Sequence, residues 1–144
     1  MISAMVTGHK PARLRGQELM VLTELNKLIK RFQPDIAISG MADGADRIWA
    51  MAALNNGIPL GCYFPYKKDF YHSPQELHIM EQASEIIYVN ENYSEDCYYL
   101  RDMAMVDDSD IVIAVFDGFP HGGTYQTIRY AQKRGKTIWY IMIE

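Results

Sequence analysis

Short apolar runs and longer segments with helical periodicity alternate along the chain. Six runs have the length of a β-strand and most are rich in Ile, Val, Tyr and Phe; they cover residues 2–7, 35–39, 58–64, 85–90, 110–116 and 137–143. Runs that are apolar throughout are typical of a parallel sheet covered by helices on both faces. We therefore predict an α/β fold, a doubly wound domain with a mostly parallel sheet of five to six strands.

Five segments between these runs carry helix signals. They lie at residues 16–32, from about 43 to 55, from 74 onwards, around 99–106 and at 124–134. The third starts at Ser73-Pro74-Gln75-Glu76, which combines a capping box with proline at the first helical position. In the fourth, Tyr99, Met103 and Val106 form one apolar face. The connection at residues 65–72 is too aromatic for a plain linker, and we expect it to cover a site as a flap.

The composition is that of a small globular protein. The chain has 144 residues, of which 49% are hydrophobic and 22% charged, and this fits one domain covering residues 1–144. No apolar run approaches the roughly 20 residues that a membrane-spanning helix needs, and the N-terminus lacks the features of a secretion signal. Two cysteines are too few for a disulfide scaffold. We therefore predict a cytoplasmic protein with no membrane partner.

The charge pattern narrows the choice of ligand. A formal net charge of −4 argues against broad binding of nucleic acid, because such binding relies on many contacts from Lys and Arg to phosphate. Lys10, Arg13 and Arg15 nevertheless form a local basic cluster. That cluster is compatible with a small phosphate-bearing ligand.

Three loops that follow predicted strands carry most of the candidate chemistry: residues 7–11, 39–46 and 117–124. In open α/β sheets ligands bind outside the carboxyl ends of the strands, so we expect these loops to meet at one edge. Their glycines let backbone amides approach a phosphate, although a glycine after a strand often forms only a turn. The candidate ligand-binding residues are Thr7, Gly8, His9, Lys10, Arg13, Ser39, Gly40, Met41, Asp43, Gly44, Asp46, Asp117, Gly118, Gly122, Gly123, Thr124 and Thr127.

The side chains of these loops suggest separate roles. Thr124 and Thr127 offer hydroxyl donors, and the segment 7–13 offers positive charge. Asp43 and Asp46 fit helix caps or acceptors for ribose hydroxyls better than phosphate ligands, because like charges repel. No loop matches the G-x-G-x-x-G fingerprint or the G-x-x-x-x-G-K-[ST] phosphate loop, so we predict no dinucleotide site and no cofactor.

The four histidines do not indicate a metal site. His9, His72, His78 and His121 lack the partner spacing of a zinc motif. His9 and His121 lie in predicted ligand-side loops, where contact with a phosphate or a base is the favoured interpretation. His78 lies inside the third predicted helix and is interpreted as a surface or packing residue.

Three motifs follow one another along the chain. They are Thr-Gly-His-Lys-Pro at residues 7–11, Ser-Gly-Met-Ala-Asp-Gly-Ala-Asp at 39–46 and Gly-Gly-Thr-Tyr-Gln-Thr-Ile-Arg-Tyr-Ala at 122–131. Together they resemble the SLOG superfamily of Rossmann-like nucleotide-binding proteins, and the YpsA-like branch most of all. The resemblance spans nearly the whole chain and implies a Rossmann-like domain whose ligand is a nucleotide or a nucleotide derivative.

The same resemblance bears on catalysis. The superfamily includes ligand-sensing domains, DNA-processing Smf-type proteins and the LOG phosphoribohydrolases, which release a base from a nucleoside monophosphate. LOG enzymes carry glutamates in a Gly-Gly-x-Gly-Thr-x-Glu-Glu motif, and matching its Gly-Thr pair puts Gln126 and Thr127 at the glutamate positions. A glutamine cannot act as the carboxylate in glycosidic cleavage. Asp43, Asp46 and Asp117 are the other carboxylates available, with Asp46 and Asp117 as the catalytic candidates.

The sequence therefore favours a protein that binds or senses a nucleotide or a nucleotide-derived small molecule. The alternative is a nucleoside-monophosphate N-glycosidase that uses an aspartate in place of the missing glutamate, and the sequence leaves open whether any reaction is catalysed. A DNA-processing role is disfavoured by the acidic net charge. The many Met, Tyr and Trp residues are compatible with a homo-oligomer, although no residue specifies its symmetry.

Overall fold

The computed structural model describes all residues from Met1 to Glu144, and strands and helices alternate along it. The strands are β1 (Ser3–Thr7), β2 (Ile36–Ser39), β3 (Leu60–Tyr66), β4 (Glu85–Asn90), β5 (Ile111–Phe116) and β6 (Thr137–Met142). The helices are α1 (Pro11–Leu14), α2 (Glu18–Phe32), α3 (Ala45–Asn55), α4 (Pro74–Glu81), α5 (Cys97–Asp107) and α6 (Gly122–Lys133).

All six strands belong to one parallel sheet in the order β4-β3-β2-β1-β5-β6. The chain adds strands outward from β1 as far as β4 and then crosses to β5 on the other side of β1. The strand order therefore reverses between β1 and β5, where the loops after both strands leave a crevice. This arrangement confirms the predicted doubly wound α/β fold.

The core has two layers, one on each face of the sheet. On β1, Ala4 and Val6 join a cluster with α2 and α3, while Met5 between them joins a second cluster with α5 and α6. This alternation is the period of two expected for a strand buried on both faces. Trp49 fills the first layer at 1% exposure, and its indole N–H donates to the Ile38 carbonyl at 3.0 Å. Its burial therefore leaves no unpaired donor.

Two helices begin later than predicted because a glycine with a positive φ precedes each of them. Gly16 has a φ of +82° and separates α1, which the sequence analysis did not predict, from α2, which begins at Glu18 rather than at residue 16. Gly44 has a φ of +100°, so α3 begins at Ala45 and not at Asp43. The predicted strands lie within about two residues of the observed ones.

The predicted start of α4 is confirmed in detail. The Glu76 backbone amide donates to Ser73 Oγ at 3.1 Å, and the Ser73 amide donates to Glu76 Oε1 at 3.0 Å. Two amides that helix geometry leaves without a partner are thereby satisfied.

The apolar face predicted for α5 is right at Val106, which is buried, and wrong at Tyr99, which is exposed, while Met103 is half-buried. The buried residues of the helix are Cys97, Arg101, Met105 and Val106. Cys97, Arg101 and Met105 follow one another at a spacing of four residues on the buried side of the helix. Apolar periodicity does not reveal this side because arginine is a charged residue. The functional site explains why a guanidinium lies there.

The aromatic segment at residues 65–72 is not a flap over the crevice. Phe70 and His72 pack against Phe64, with ring centroids 5.6 and 4.5 Å from the Phe64 ring. His72 also shares a hydrogen bond of 2.8 Å with the Tyr88 hydroxyl. The segment therefore belongs to the β3–β4 side of the core, because its rings find apolar partners there.

None of the helices combines the length and the apolar character needed to cross a membrane.

Candidate functional site

A cavity of about 460 Å³ opens at the carboxyl edge of the sheet, where the strand order reverses between β1 and β5. Its walls come from the loop after β1, the loop before α3, one side of α5, the loop after β5 and the first turn of α6. The lining residues are Met5, Val6, Thr7, Gly8, His9, Lys10, Arg13, Ala42, Asp43, Asp46, Arg101, Asp102, Met105, Asp117, His121, Gly122, Gly123 and Thr124.

Two glycines bring the loop after β1 against the start of α3. A Cβ atom on Gly8 would lie 2.4 Å from the Ala45 Cβ, and one on Gly44 would lie 2.3 Å from the His9 carbonyl oxygen. The Ala45 amide donates to that same carbonyl at 3.1 Å. Gly8 and Gly44 are therefore needed for packing between two walls of the cavity.

Gly122 and Gly123 differ from these packing glycines. They form the first two positions of α6 and line the cavity, and a Cβ atom on either would meet nothing within 4 Å. The first amides of a helix have no partner within the helix and carry partial positive charge. His121 precedes them as the N-cap, and no side chain caps this terminus. The first turn of α6 therefore faces open space with its amides free of a side-chain cap.

The rim of the cavity carries a network around Asp117. Arg13 Nε donates to Asp117 Oδ2 at 3.1 Å, and the Phe119 amide donates to Oδ1 at 3.0 Å. Burial alone would raise the pKa of Asp117, but the Phe119 amide and the Arg13 guanidinium hold the pKa below its ordinary value. Asp117 is therefore a fixed carboxylate that orients Arg13.

His9 is neutral within this network. Its Nε2 accepts a hydrogen bond from the Asp117 amide at 3.2 Å, which requires that nitrogen to carry no proton. The Asp117 carboxylate lies 3.6 Å from the same nitrogen and would favour the charged ring. Burial is the larger effect and lowers the pKa of His9. The uncharged ring, held against the loop after β5, therefore positions that loop.

The floor of the cavity holds a buried arginine between two carboxyls. Arg101 is 6% exposed, and its Nη1 donates to the carbonyls of Gly40 at 2.8 Å and Tyr63 at 3.2 Å. Its Nε donates to Asp102 Oδ1 at 2.9 Å. A Cβ atom on Gly40 would lie 3.0 Å from Asp46 Oδ2 and 3.1 Å from the Arg101 Cζ. Asp46, Arg101 and Asp102 thus form one cluster, which we call the acid–arginine cluster.

Burial dominates the proton affinities in the acid–arginine cluster. It raises the pKa of Asp46 from 3.8 to about 7, although Arg101 and the Ala42 amide favour the charged form and Asp102 opposes it. Burial also raises the pKa of Asp102, again against the effect of Arg101. One cavity wall therefore carries a carboxyl that exchanges its proton near neutral pH, which is a common property of functional sites.

Comparison with solved structures yields close matches in fold. The chain superposes on DNA processing protein A from Streptococcus pneumoniae with a TM-score of 0.78 at 17% identity, covering 100% of this chain and 51% of that chain. DNA processing protein A from Helicobacter pylori gives 0.74 at 20% identity, covering 99% and 66%. The molybdenum cofactor binding protein from Rippkaea orientalis gives 0.71 at 19% identity, covering 99% and 77%.

The chain shares the Rossmann-like α/β fold of these proteins. The chain spans about half the length of the pneumococcal protein. At sequence identities of 20% or less, these similarities establish a shared fold and not a shared function. No family model and no curated protein matches the sequence.

The cavity brings together most of the residues predicted to bind a ligand. Of the seventeen candidates, those that line it are Thr7, Gly8, His9, Lys10, Arg13, Asp43, Asp46, Asp117, Gly122, Gly123 and Thr124. Those that do not line it are Ser39, Gly40, Met41, Gly44, Gly118 and Thr127.

The candidates outside the cavity shape its walls instead. Ser39 is fully buried; its hydroxyl donates to the Asp46 carbonyl at 2.8 Å and accepts from the Met41 amide at 3.1 Å. Thr127 is 1% exposed, and its hydroxyl donates to the Gly123 carbonyl at 3.0 Å. Gly118 turns the loop after β5 with a φ of +88°. These positions were predicted as ligand contacts because they are neighbours in sequence of residues that line the cavity.

The interpretation of Asp43 and Asp46 as helix caps is wrong. The N-cap of α3 is Gly44, and no side chain accepts a hydrogen bond there. Asp43 instead pairs with Arg47 one turn later, and Asp46 enters the acid–arginine cluster. The prediction fails because Gly44 shifts the helix start by two residues.

The positions matched to the LOG glutamates do not point into the cavity. Gln126 is exposed on the outer side of α6, and Thr127 lies beneath the first turn of that helix. The residues that sequence reasoning missed are Arg101, Asp102 and Met105 on α5, together with Ala42 and the β1 residues Met5 and Val6. A signal for Arg101 existed, since Cys97, Arg101 and Met105 share one helix face at a spacing of four residues.

The histidines lie apart from one another except at the rim. His9 and His121 both line the cavity, whereas His72 packs with Phe64 and His78 is exposed on α4. No group of three or more His, Cys, Asp or Glu side chains is arranged to hold a metal ion.

The raised pKa of Asp46 predicts a pH-dependent stability difference between the wild-type protein and Asp46→Asn. Because the folded-state pKa of about 7 lies above the unfolded value of 3.8, the folded protein holds the proton more tightly. Asp46 therefore costs stability as the pH rises through this interval, by at most about 1.4 kcal/mol per pH unit. Urea unfolding between these two pH values should show that the free energy of unfolding of Asp46→Asn increases relative to that of the wild-type protein as the pH rises. A stability difference that stays constant with pH would contradict the assignment.

Proposed function

We propose that the chain binds a nucleotide or a nucleotide-derived small molecule in the cavity, with a phosphate at the first turn of α6. The observation that carries this proposal is the convergence, around one space, of the open helix start at Gly122 and Gly123, the flexible cation Lys10 and the acid–arginine cluster. A volume of about 460 Å³ suits a ligand of nucleotide size. The proposal takes residues 1–144 as one ligand-binding domain of the YpsA-like kind.

The phosphate end of the site combines backbone and side-chain donors. The amides of Gly122, Gly123 and Thr124 supply donors with a favourable helix dipole, and the missing side chains let a phosphate oxygen approach them. Lys10 is exposed at the rim, where its ammonium can follow the ligand. Arg13 is held by Asp117 at 3.1 Å and so presents a fixed charge. Because Asp117 offsets the charge of Arg13, Lys10 supplies most of the attraction for an anion at the open side of the cavity.

The opposite end suits the neutral, polar part of such a ligand. Arg101 Nη1 and Nε are engaged by carbonyls and Asp102, which leaves Nη2 as its remaining donor group. Asp46 accepts hydrogen bonds when ionised and also donates one when protonated, and both forms exist near neutral pH. Sugar hydroxyls and base edges offer donors and acceptors in pairs, so this wall matches them better than a second phosphate.

The structurally similar proteins support a phosphate-bearing ligand, but they bind different ones. The Helicobacter pylori protein is described as binding single-stranded DNA, and the Rippkaea orientalis protein as binding the molybdenum cofactor. Both ligands carry phosphate. The net charge of −4 still favours a small molecule over a nucleic acid for this chain.

Replacing Gly123 with alanine should weaken ligand binding without harming the fold. The new methyl group would meet no protein atom within 4 Å, and glycine to alanine at a compatible helix position stabilises by about 0.4–1 kcal/mol. The same methyl group would occupy space beside the phosphate-binding amides. Calorimetric titration with nucleoside monophosphates and ADP-ribose should show an affinity loss of about tenfold or more.

The matched control is Gln126→Ala, on the same helix but outside the cavity, which should leave the affinity unchanged. An unaltered affinity of the Gly123→Ala variant would contradict the proposal that the phosphate binds at the first turn of α6. Binding of single-stranded DNA with steep salt dependence, and no binding of mononucleotides or the molybdenum cofactor, would replace the small-molecule proposal by a nucleic-acid one.

A second function has one specific observation in its favour, the pKa of about 7 for Asp46 inside the cavity. In N-glycosidic hydrolysis the bond from C1′ to the base nitrogen breaks and the departing base takes a proton. The water oxygen bonds to C1′ and loses its proton to a base. Protonated Asp46 can supply the first proton, and the ionised form can accept the second. Asp117 suits this role less, because Arg13 and the Phe119 amide hold its oxygens.

The hydrolase alternative predicts release of free base from a panel of nucleoside monophosphates. Asp46→Asn should lower the rate by about 100-fold or more, and the wild-type rate should fall above about pH 7 as the acid form is lost. Asp117→Asn is the control and should weaken binding more than turnover. Absence of free base from every monophosphate, in a protein that binds them, would leave binding as the function.

A further inference from the structure

A second concave surface lies on the outer side of α5 and α6, and we call it the α5–α6 groove. It measures about 950 Å³ and is lined by Glu95, Asp96, Tyr99, Met103, Tyr125, Gln126, Arg129, Tyr130, Gln132 and Lys133. None of these residues lines the ligand cavity. On α5 the cavity takes Arg101, Asp102 and Met105, and the groove takes Tyr99 and Met103. The two helices thus present one side to each surface.

The middle of the groove has the composition of a protein interface. Tyr99, Met103 and Tyr125 supply apolar area, and Tyr99 is 39% exposed. The Arg129 guanidinium lies 5.9 Å from the Tyr125 ring centroid and donates to the Tyr125 hydroxyl at 3.1 Å. Tyrosine, methionine and arginine are enriched at interfaces, and tyrosine and arginine dominate their binding energy.

The charges of the groove are separated along its length. Glu95 and Asp96 lie at the beginning of α5, whereas Arg129 and Lys133 lie in the second half of α6. Helix α5 connects β4 to β5 and helix α6 connects β5 to β6. Because all strands of the sheet are parallel, both helices run in the same direction. The rise of an α-helix places Lys133 about 16 Å from the start of α6. The lining carboxylates therefore lie at one end of the groove and the lining cations at the other, where Asp107 beside Tyr130 is paired with Arg134.

We infer that the α5–α6 groove is the contact surface for a second copy of this chain. A two-fold axis across the groove makes the helices of the two copies antiparallel and sets Glu95 and Asp96 of one copy against Arg129 and Lys133 of the other. The same pairing occurs twice, and the tyrosines and Met103 meet near the axis. The acidic pair opposes a nucleic acid as occupant, because phosphates would lie against carboxylates. The inference does not depend on the proposed ligand.

Charge reversal at each end gives a direct test by sedimentation velocity across a concentration series. The acidic variant carries Arg129→Glu and Lys133→Glu, and the basic variant carries Glu95→Lys and Asp96→Lys. Each should dissociate at least about tenfold more readily than the wild-type dimer, because both ends of its groove then carry one sign. An equimolar mixture of the two variants should form a heterodimer, since an all-acidic groove then meets an all-basic one. Salt should weaken that heterodimer.

The controls separate this surface from other modes of association. Tyr140→Lys changes an exposed residue on the edge strand β6 and should leave the wild-type dimer intact. A wild-type protein that stays monomeric at every concentration overturns the inference. Charge-reversal variants that still form dimers on their own would also overturn it, as would a mixture of the two folded variants that stays monomeric. Loss of the dimer in Tyr140→Lys would overturn it by placing the contact at β6. Circular dichroism spectra equal to that of the wild-type protein establish that the variants are folded.

Discussion

The buried guanidinium of Arg101 is the contact on which the architecture of the ligand cavity depends. A charge at 6% exposure is costly unless it is paired and hydrogen-bonded, and Arg101 meets both conditions through the carbonyls of Gly40 and Tyr63 and the carboxylate of Asp102. These bonds join the end of β2, the middle of β3 and helix α5. They also explain why residue 40 is glycine, since a Cβ atom there would crowd the guanidinium and Asp46.

That contact divides the cavity into two chemically different ends. Near Arg101, burial raises the pKa values of Asp46 and Asp102, that of Asp46 to about 7, so this end offers hydrogen bonds and a carboxyl that exchanges its proton. Near Gly122 and Gly123 the backbone of α6 is open and the Lys10 ammonium lies at the rim, so this end suits an anion. Helices α5 and α6 line the cavity with one side and the α5–α6 groove with another.

Local sequence signals predicted the fold and much of the cavity, and failed where distant parts of the chain decide the outcome. The strands were recognisable because full burial makes them continuously apolar, and the start of α4 because Ser73 and Glu76 form a local capping box. The loops were found because parallel strands bring their carboxyl ends to one edge. Arg101 was missed because its partners Gly40 and Tyr63 lie 61 and 38 residues away. The outward position of Gln126 likewise depends on how α6 packs on the sheet.

The central claim is that an anionic ligand binds at the first turn of α6. Amide chemical shifts of isotopically labelled protein, followed during titration with a nucleoside monophosphate, test it most directly. The largest changes are expected on Gly122, Gly123 and Thr124, with further changes from Gly8 to Lys10 across the cavity. Unchanged amides at these glycines, with the largest changes on the α5–α6 groove or nowhere, would contradict it.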